Sequence, residues 1–139
     1  TAKISVEANP WVKGKAGRGV TVQAAAGLRF EPRRFSVKAG ERISLTFENP
    51  DAMPHNFVLG ALGTFKELGN LANKLMADPT AIKHHYVPKS PKVLAYTNVL
   101  HPKQKQTIHF NAPDKPGEYP YLCTFPGHWM VMNGVMVVE

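Results

Sequence analysis

The chain has a single cysteine, Cys123, among its 139 residues. One cysteine excludes an internal disulfide and a four-cysteine zinc site, and it leaves the redox compartment open. No stretch approaches the roughly 18 consecutive apolar residues that a bilayer span requires. The start lacks a basic-then-apolar signal, so a leader peptide is expected to be absent or already removed. There is no internal repeat, phosphate-binding glycine loop or nucleophile triad. Acidic side chains are scarce: 10 Asp and Glu face 17 Lys and Arg, for a formal charge of +7. Much of the excess falls early, with nine Lys and Arg against three Glu in residues 1–42, including Arg33-Arg34. No basic stretch is interleaved with stacking aromatics, so nucleic acid is not an expected partner. A solvated basic surface is the simpler reading. An acidic protein or a membrane surface would suit the same charge, although nothing else indicates membrane association.

What is present reads as one folded domain over 1–139, with residues 1–19 a short strand plus a linker-like extension. The composition, 43% hydrophobic and 19% charged, argues against disorder. Twelve prolines and eleven glycines suit short strands joined by many turns. "KISVEA" (3–8) reads as a first strand, and "VTVQAAAGLRFEP" and "RRFSVKAG" as extended segments broken at Gly27 and Pro32. In "ERISLTFEN" Ile43, Leu45 and Phe47 alternate with polar neighbours, which predicts a half-buried strand. "HNFVLG", "VLAYTNVL", "QTIHFNAP", "GEYPYLCTF" and "GVMVVE" continue the strand pattern. One stretch breaks it. "TFKELGNLANKLMADP" carries a capping box, Thr64 with Glu67, and an apolar stripe, which predicts a helix over about 64–77. The expected fold is all-β: an antiparallel Greek-key β-sandwich of about seven or eight strands with one helical insertion.

The cysteine sits in the most informative segment, "YLCTFPGHWMVMNG". Cys123 is followed by His128 at C-x4-H and by Met132 at H-x3-M. A tight loop anchored in two strands can aim a thiol, an imidazole and a thioether at one point. With a second histidine the set becomes two imidazoles, a thiolate and a weak axial methionine, which suits copper that cycles electrons. Thioether is a poor zinc ligand. Among the other histidines His55 is the best choice, because it opens a strand after the apolar turn "DAMPHN". His84 and His85 lie in a Lys/Pro-rich loop, His101 in a polar turn, and His109 on the wet side of a strand; all four read as surface residues. Met130 is too close to His128, and Met136 belongs to the last strand. Trp11 reads as a packing residue.

"CTFPGH" with a methionine four residues on, and "PHNFVLG" upstream, resemble the azurin–auracyanin branch of the cupredoxins over about residues 20–139. The resemblance implies an eight-stranded sandwich with one type 1 (blue) copper, held by His55, Cys123 and His128 with Met132 axial. It also implies that Asn56 and Thr124 brace the ligand segments, and that the protein works in the periplasm or elsewhere outside the cytoplasm. The chain departs from azurins at Pro54, where they have glycine, and in lacking the cysteine pair of their disulfide. In the second respect it is closer to auracyanin.

The expected function is a one-electron carrier, not an enzyme, and a monomer. Redox proteins would dock briefly at an apolar patch of Met53, Phe125, Pro126, Trp129 and Met130. Two alternatives stay open. A domain of a larger multidomain redox enzyme would need further His-x-His clusters, which this chain lacks. Copper storage or delivery would fit clustered methionines, but a closed four-ligand site is built to retain its metal.

Overall fold

Alternation over residues 42–49 sets the centre of one sheet, and the rest of the fold is arranged around it. The computed structural model describes residues 8–139, so the strand expected over 3–8 falls almost wholly outside the described residues. Nine strands are described: β1 (Arg18–Ala25), β2 (Arg29–Glu31), β3 (Arg34–Val37), β4 (Arg42–Asn49), β5 (Val58–Gly60), β6 (Val93–Tyr96), β7 (Gln104–Asn111), β8 (Gly117–Leu122) and β9 (Asn133–Val138). One α-helix, α1 (Phe65–Leu75), is inserted between β5 and β6. The sheets run β2-β1-β4-β7 and β3-β9-β8-β5-β6, a Greek-key sandwich.

Two features differ from the expectation. The break at Pro32 divides the early extended region between sheets, β2 entering the first and β3 the second, which raises the strand number to nine among the described residues. The sandwich is also mixed. β1 runs parallel to β4, with Val22 opposite Phe47, and β3 runs parallel to β9, with Phe35 opposite Met136. Period-two alternation specifies which face is buried but is blind to the direction of the neighbouring strand.

Ile43, Leu45 and Phe47 of β4 point inward and are wholly buried. They meet an aromatic cluster. Phe57 stacks on Tyr121 with ring centroids 5.0 Å apart, and Phe30 meets Tyr121 edge-on at 5.1 Å. The Tyr121 hydroxyl satisfies itself by donating to the Pro32 carbonyl at 2.7 Å. Tyr121 lies in β8 two residues ahead of Cys123, so the thiol follows directly on this buried aromatic cluster. Trp11 packs at the edge of that core, as expected of a packing residue.

Helix α1 covers the outer side of β8, which explains why Tyr119 to Leu122 are buried on both faces. Gly60 lets the helix approach: a β-carbon there would collide with Leu68 and Thr64. The capping box does not form. Thr64 turns its hydroxyl back to donate to the Ala61 carbonyl at 2.6 Å and makes no side-chain cap. The preceding turn therefore takes the hydroxyl that the helix N-terminus would have used.

Candidate metal centre

Each site residue is placed by backbone pairing. His55 is fixed by an isolated bridge to Leu100, with His55 N–H donating at 3.1 Å and Leu100 N–H returning at 2.7 Å. Cys123 and Met132 close the base of the loop between β8 and β9, the Cys123 N–H donating to the Met132 carbonyl at 3.1 Å. Inside the loop, the His128 carbonyl accepts from Met132 N–H at 2.8 Å, and His128 N–H donates to Phe125 at 3.1 Å. These short-range bonds turn the imidazole of His128 back toward the thiol.

The structure brings three of the four expected side chains to one point. The nearest ligand atoms of His55, Cys123 and His128 all lie within 4.8 Å of one another. Cys123 Sγ is 3.8 Å from Nδ1 of His55 and 3.5 Å from Nδ1 of His128. Met132 is wholly buried, paired through its backbone with Cys123. Met136 is buried in β9, and Met130 is 71% exposed, so neither competes for the interior of the site.

Asn56 stitches the His55 and Cys123 segments together. Its side-chain oxygen accepts the Thr124 N–H at 2.7 Å, and its NH₂ donates to the Thr124 hydroxyl and to the His85 carbonyl, both at 2.9 Å. Its own N–H points at Cys123 Sγ, 3.5 Å away. His85 is thus part of the frame rather than a surface residue. It adopts φ 52° and is followed by Tyr86 at φ 57°, a strained left-handed pair. Its ring Nδ1 accepts the Val99 N–H at 3.1 Å, which helps hold that turn. His109 is also engaged, with Nδ1 2.7 Å from the Ser44 hydroxyl, whereas His101 is exposed.

Asp51 was missed by sequence reasoning. Its Oδ2 lies 2.7 Å from Nε2 of His55. A carboxylate on the outer nitrogen fixes the tautomer, so that Nε2 carries the proton and Nδ1 presents its lone pair to the thiol. Hydrogen bonding from His55 holds the Asp51 carboxyl below its ordinary value, against the opposing effect of burial. The available signal was an acid four residues before His55, in the turn "NPDAMPH".

Burial dominates the electrostatics. It pushes the Cys123 thiol up to about 12, against smaller lowering by the Asn56 and Phe125 backbone N–H groups. It also lowers His128, with repulsion from His55 adding and Asp51 opposing. Burial thus disfavours the charged forms of Cys123 and His128, and the converging atoms are sulfur and imidazole nitrogen with no carboxylate among them. Such a set suits a soft or borderline cation and offers nothing to calcium or magnesium.

Residues 18–139 match the family model for copper binding proteins, plastocyanin/azurin family. The chain belongs to this family. Auracyanin-A of Chloroflexus aurantiacus is 33% identical over 115 residues, spanning 81% of this chain and 68% of the relative. Auracyanin-B of the same organism is 32% identical over 131 residues, covering 86% of this chain but only 51% of the relative, so the chain spans about half of that protein. Among solved structures, the dithionite-reduced auracyanin of Roseiflexus castenholzii superposes with a TM-score of 0.77 at 30% identity, covering 90% of this chain and 99% of that one. For a plastocyanin/azurin-family chain, the soft donor set is the expected kind, and copper fits it.

Asn56→Ala should leave the Thr124 N–H and the His85 carbonyl buried without partners. The expected loss is about 2–6 kcal/mol of unfolding free energy, from about 1–3 kcal/mol for each orphaned group. Urea denaturation of the metal-free protein measures it. A loss under about 0.5 kcal/mol, the level of an ordinary surface substitution, would show that the network does not hold the two segments.

Proposed function

We infer that this protein is a blue copper electron carrier in which His55, Cys123, His128 and Met132 hold one type 1 copper. The observation that carries the reading is the convergence of two imidazoles and the only thiol in a buried cluster, within a chain of the plastocyanin/azurin family. When bound there, copper supplies a one-electron Cu(I)/Cu(II) couple. Cys123 and His128, as neutral buried donors, gain from a cation that the surrounding protein does not otherwise provide. Cys123 gives up its proton on binding, since only thiolate is a strong ligand. Asp51 and Asn56 hold His55 and the cysteine segment in place, so the donors have little freedom to rearrange between oxidation states. Met132 is the weak member of the set and tunes the site more than it anchors it.

Nothing in this mechanism transforms a substrate, and the reading is a carrier acting outside the cytoplasm, as the family resemblance implies. Redox partners would dock where the site comes nearest the surface. That is His128, which is 7% exposed, while His55 is fully covered. Of the expected patch residues, Met53 is 40% and Met130 71% exposed and Phe125 and Pro126 are half-buried, and Val131 beside Met130 is 56% exposed. Trp129, half-buried like Phe125 and Pro126, rests its ring against Phe65 of α1, and Val131 adds to the exposed apolar surface. An apolar face of this kind admits close approach without desolvating charge, and a contact under about 1,200 Å² suits rapid release.

Cys123→Ser should still fold, yet the protein loaded with Cu(II) should lack the intense thiolate-to-copper absorption toward the red end of the visible spectrum. Survival of that band would refute the ligand assignment. Met130→Glu should keep the copper spectrum and slow electron exchange between copies or with a partner, measured by stopped-flow or NMR line broadening. Unchanged exchange in a fully loaded Met130→Glu protein would move the exit elsewhere.

A further inference from the structure

Helix α1 carries a glycine at its middle, where glycine is costly compared with alanine. Its surroundings explain the choice. The indole of Trp129 lies so close to Gly69 that a β-carbon there would overlap the ring atoms Cε3, Cζ3 and Cδ2. Phe65, one turn earlier, meets the same indole edge-on with centroids 5.3 Å apart. Asn73, one turn later, accepts the indole N–H at 2.9 Å. Residues 65, 69 and 73 form a single line along the helix, as i, i+4 spacing dictates. Leu68 and Ala72, beside that line, are the side chains that α1 buries. The helix therefore uses two adjoining strips, one for packing and one as a slot for a single indole.

Trp129 is bonded directly to His128. Its carbonyl accepts from the Asn133 side chain at 3.2 Å, so both its backbone and its ring are held. The next two residues, Met130 and Val131, extend into solvent and offer no comparable side-chain anchor. On the other side of His128, Gly127 sits at φ 82° and has no side chain, while Phe125 meets the His128 ring at 5.2 Å and Tyr86 at 5.4 Å, so the helix contact restrains one flank and Phe125 the other.

We propose that α1 is a positioning element for the loop over residues 123–132, and that Trp129 is the positioning residue that transmits the placement of the helix to His128. This rests on the reading of Cys123, His128 and Met132 as metal ligands. An indole seated on three helix residues limits the backbone rotations on either side of the 128–129 peptide, and so limits where the His128 ring can point. The insertion that interrupts the β-sandwich thereby serves the site, although none of its residues belongs to the donor cluster.

Gly69→Ala tests the idea by filling the slot. The amide resonances of His128 and Trp129 and the Trp129 indole N–H should shift in the metal-free protein. In the copper-loaded protein the thiolate absorption band should shift, and loss of copper to a chelator should accelerate several-fold. In a Trp129→Leu background, where the slot is vacant, adding Gly69→Ala should change the band and the copper-loss rate little further. Asn73→Ala, at an exposed position, removes only the indole hydrogen bond and should move the same signals in the same direction by less, which covers the case in which Gly69→Ala folds poorly. The proposal is overturned if Gly69→Ala displaces the indole resonance while the His128 amide and the absorption band stay fixed. It is equally overturned if the alanine acts as strongly in the Trp129→Leu background. Absence of any thiolate band in the unsubstituted protein would instead sink the ligand assignment beneath it, whatever the amide shifts.

Discussion

The hydrogen bonds of one buried amide, Asn56, hold together two segments that lie far apart in the chain. On one side is His55, fixed by its bridge to Leu100; on the other is Cys123, with Thr124 bound to Asn56 through both backbone and hydroxyl. Each such bond contributes only about 1 kcal/mol net, but leaving its partner buried and unsatisfied costs about 1–3 kcal/mol. That asymmetry makes the network a constraint on geometry more than a source of stability. Displacing either segment would strand several polar groups at once, most of them buried.

The same burial governs the chemistry. It pushes the Cys123 thiol up to about 12 and disfavours the charged form of His128, so both face inward as uncharged donors. A cation entering this space meets donors already oriented, with Asp51 compensating from behind His55. The aromatic cluster beneath, centred on Tyr121, provides the stiffness: close-packed interiors do not deform continuously, so the strand ends above it stay put. Fold and site are therefore the same packing problem. The sandwich supplies rigid strand ends, and short loops carry the donors outward from them.

Local spacing made part of this legible. C-x4-H-x3-M between two strands marked the ligand loop, alternation in β4 marked its buried face, and the apolar stripe marked α1. What the sequence hid depends on contacts between distant segments. The parallel partners of β1 and β3, the docking of Trp129 on Gly69 and the seating of the His85 carbonyl on Asn56 leave no periodic trace. Thr64 shows the limit from another side: its capping-box pattern is present, yet the turn at Ala61 competes successfully for the hydroxyl. Asp51 lies between these cases. Its spacing from His55 was visible, but only the fold of the turn shows that the carboxylate reaches the ring.

The central claim is that the fold sets the donor positions before any metal arrives. The most direct measurement is a pair of crystal structures of the protein, metal-free and copper-loaded, under one set of conditions. The account predicts that His55, Cys123, His128 and Met132 keep their rotamers, with donor atoms moving by less than about 0.5 Å, the tolerance of a preorganised site. A metal-free structure with His128 swung into solvent, or with the Asn56–Thr124 bonds broken, would contradict it.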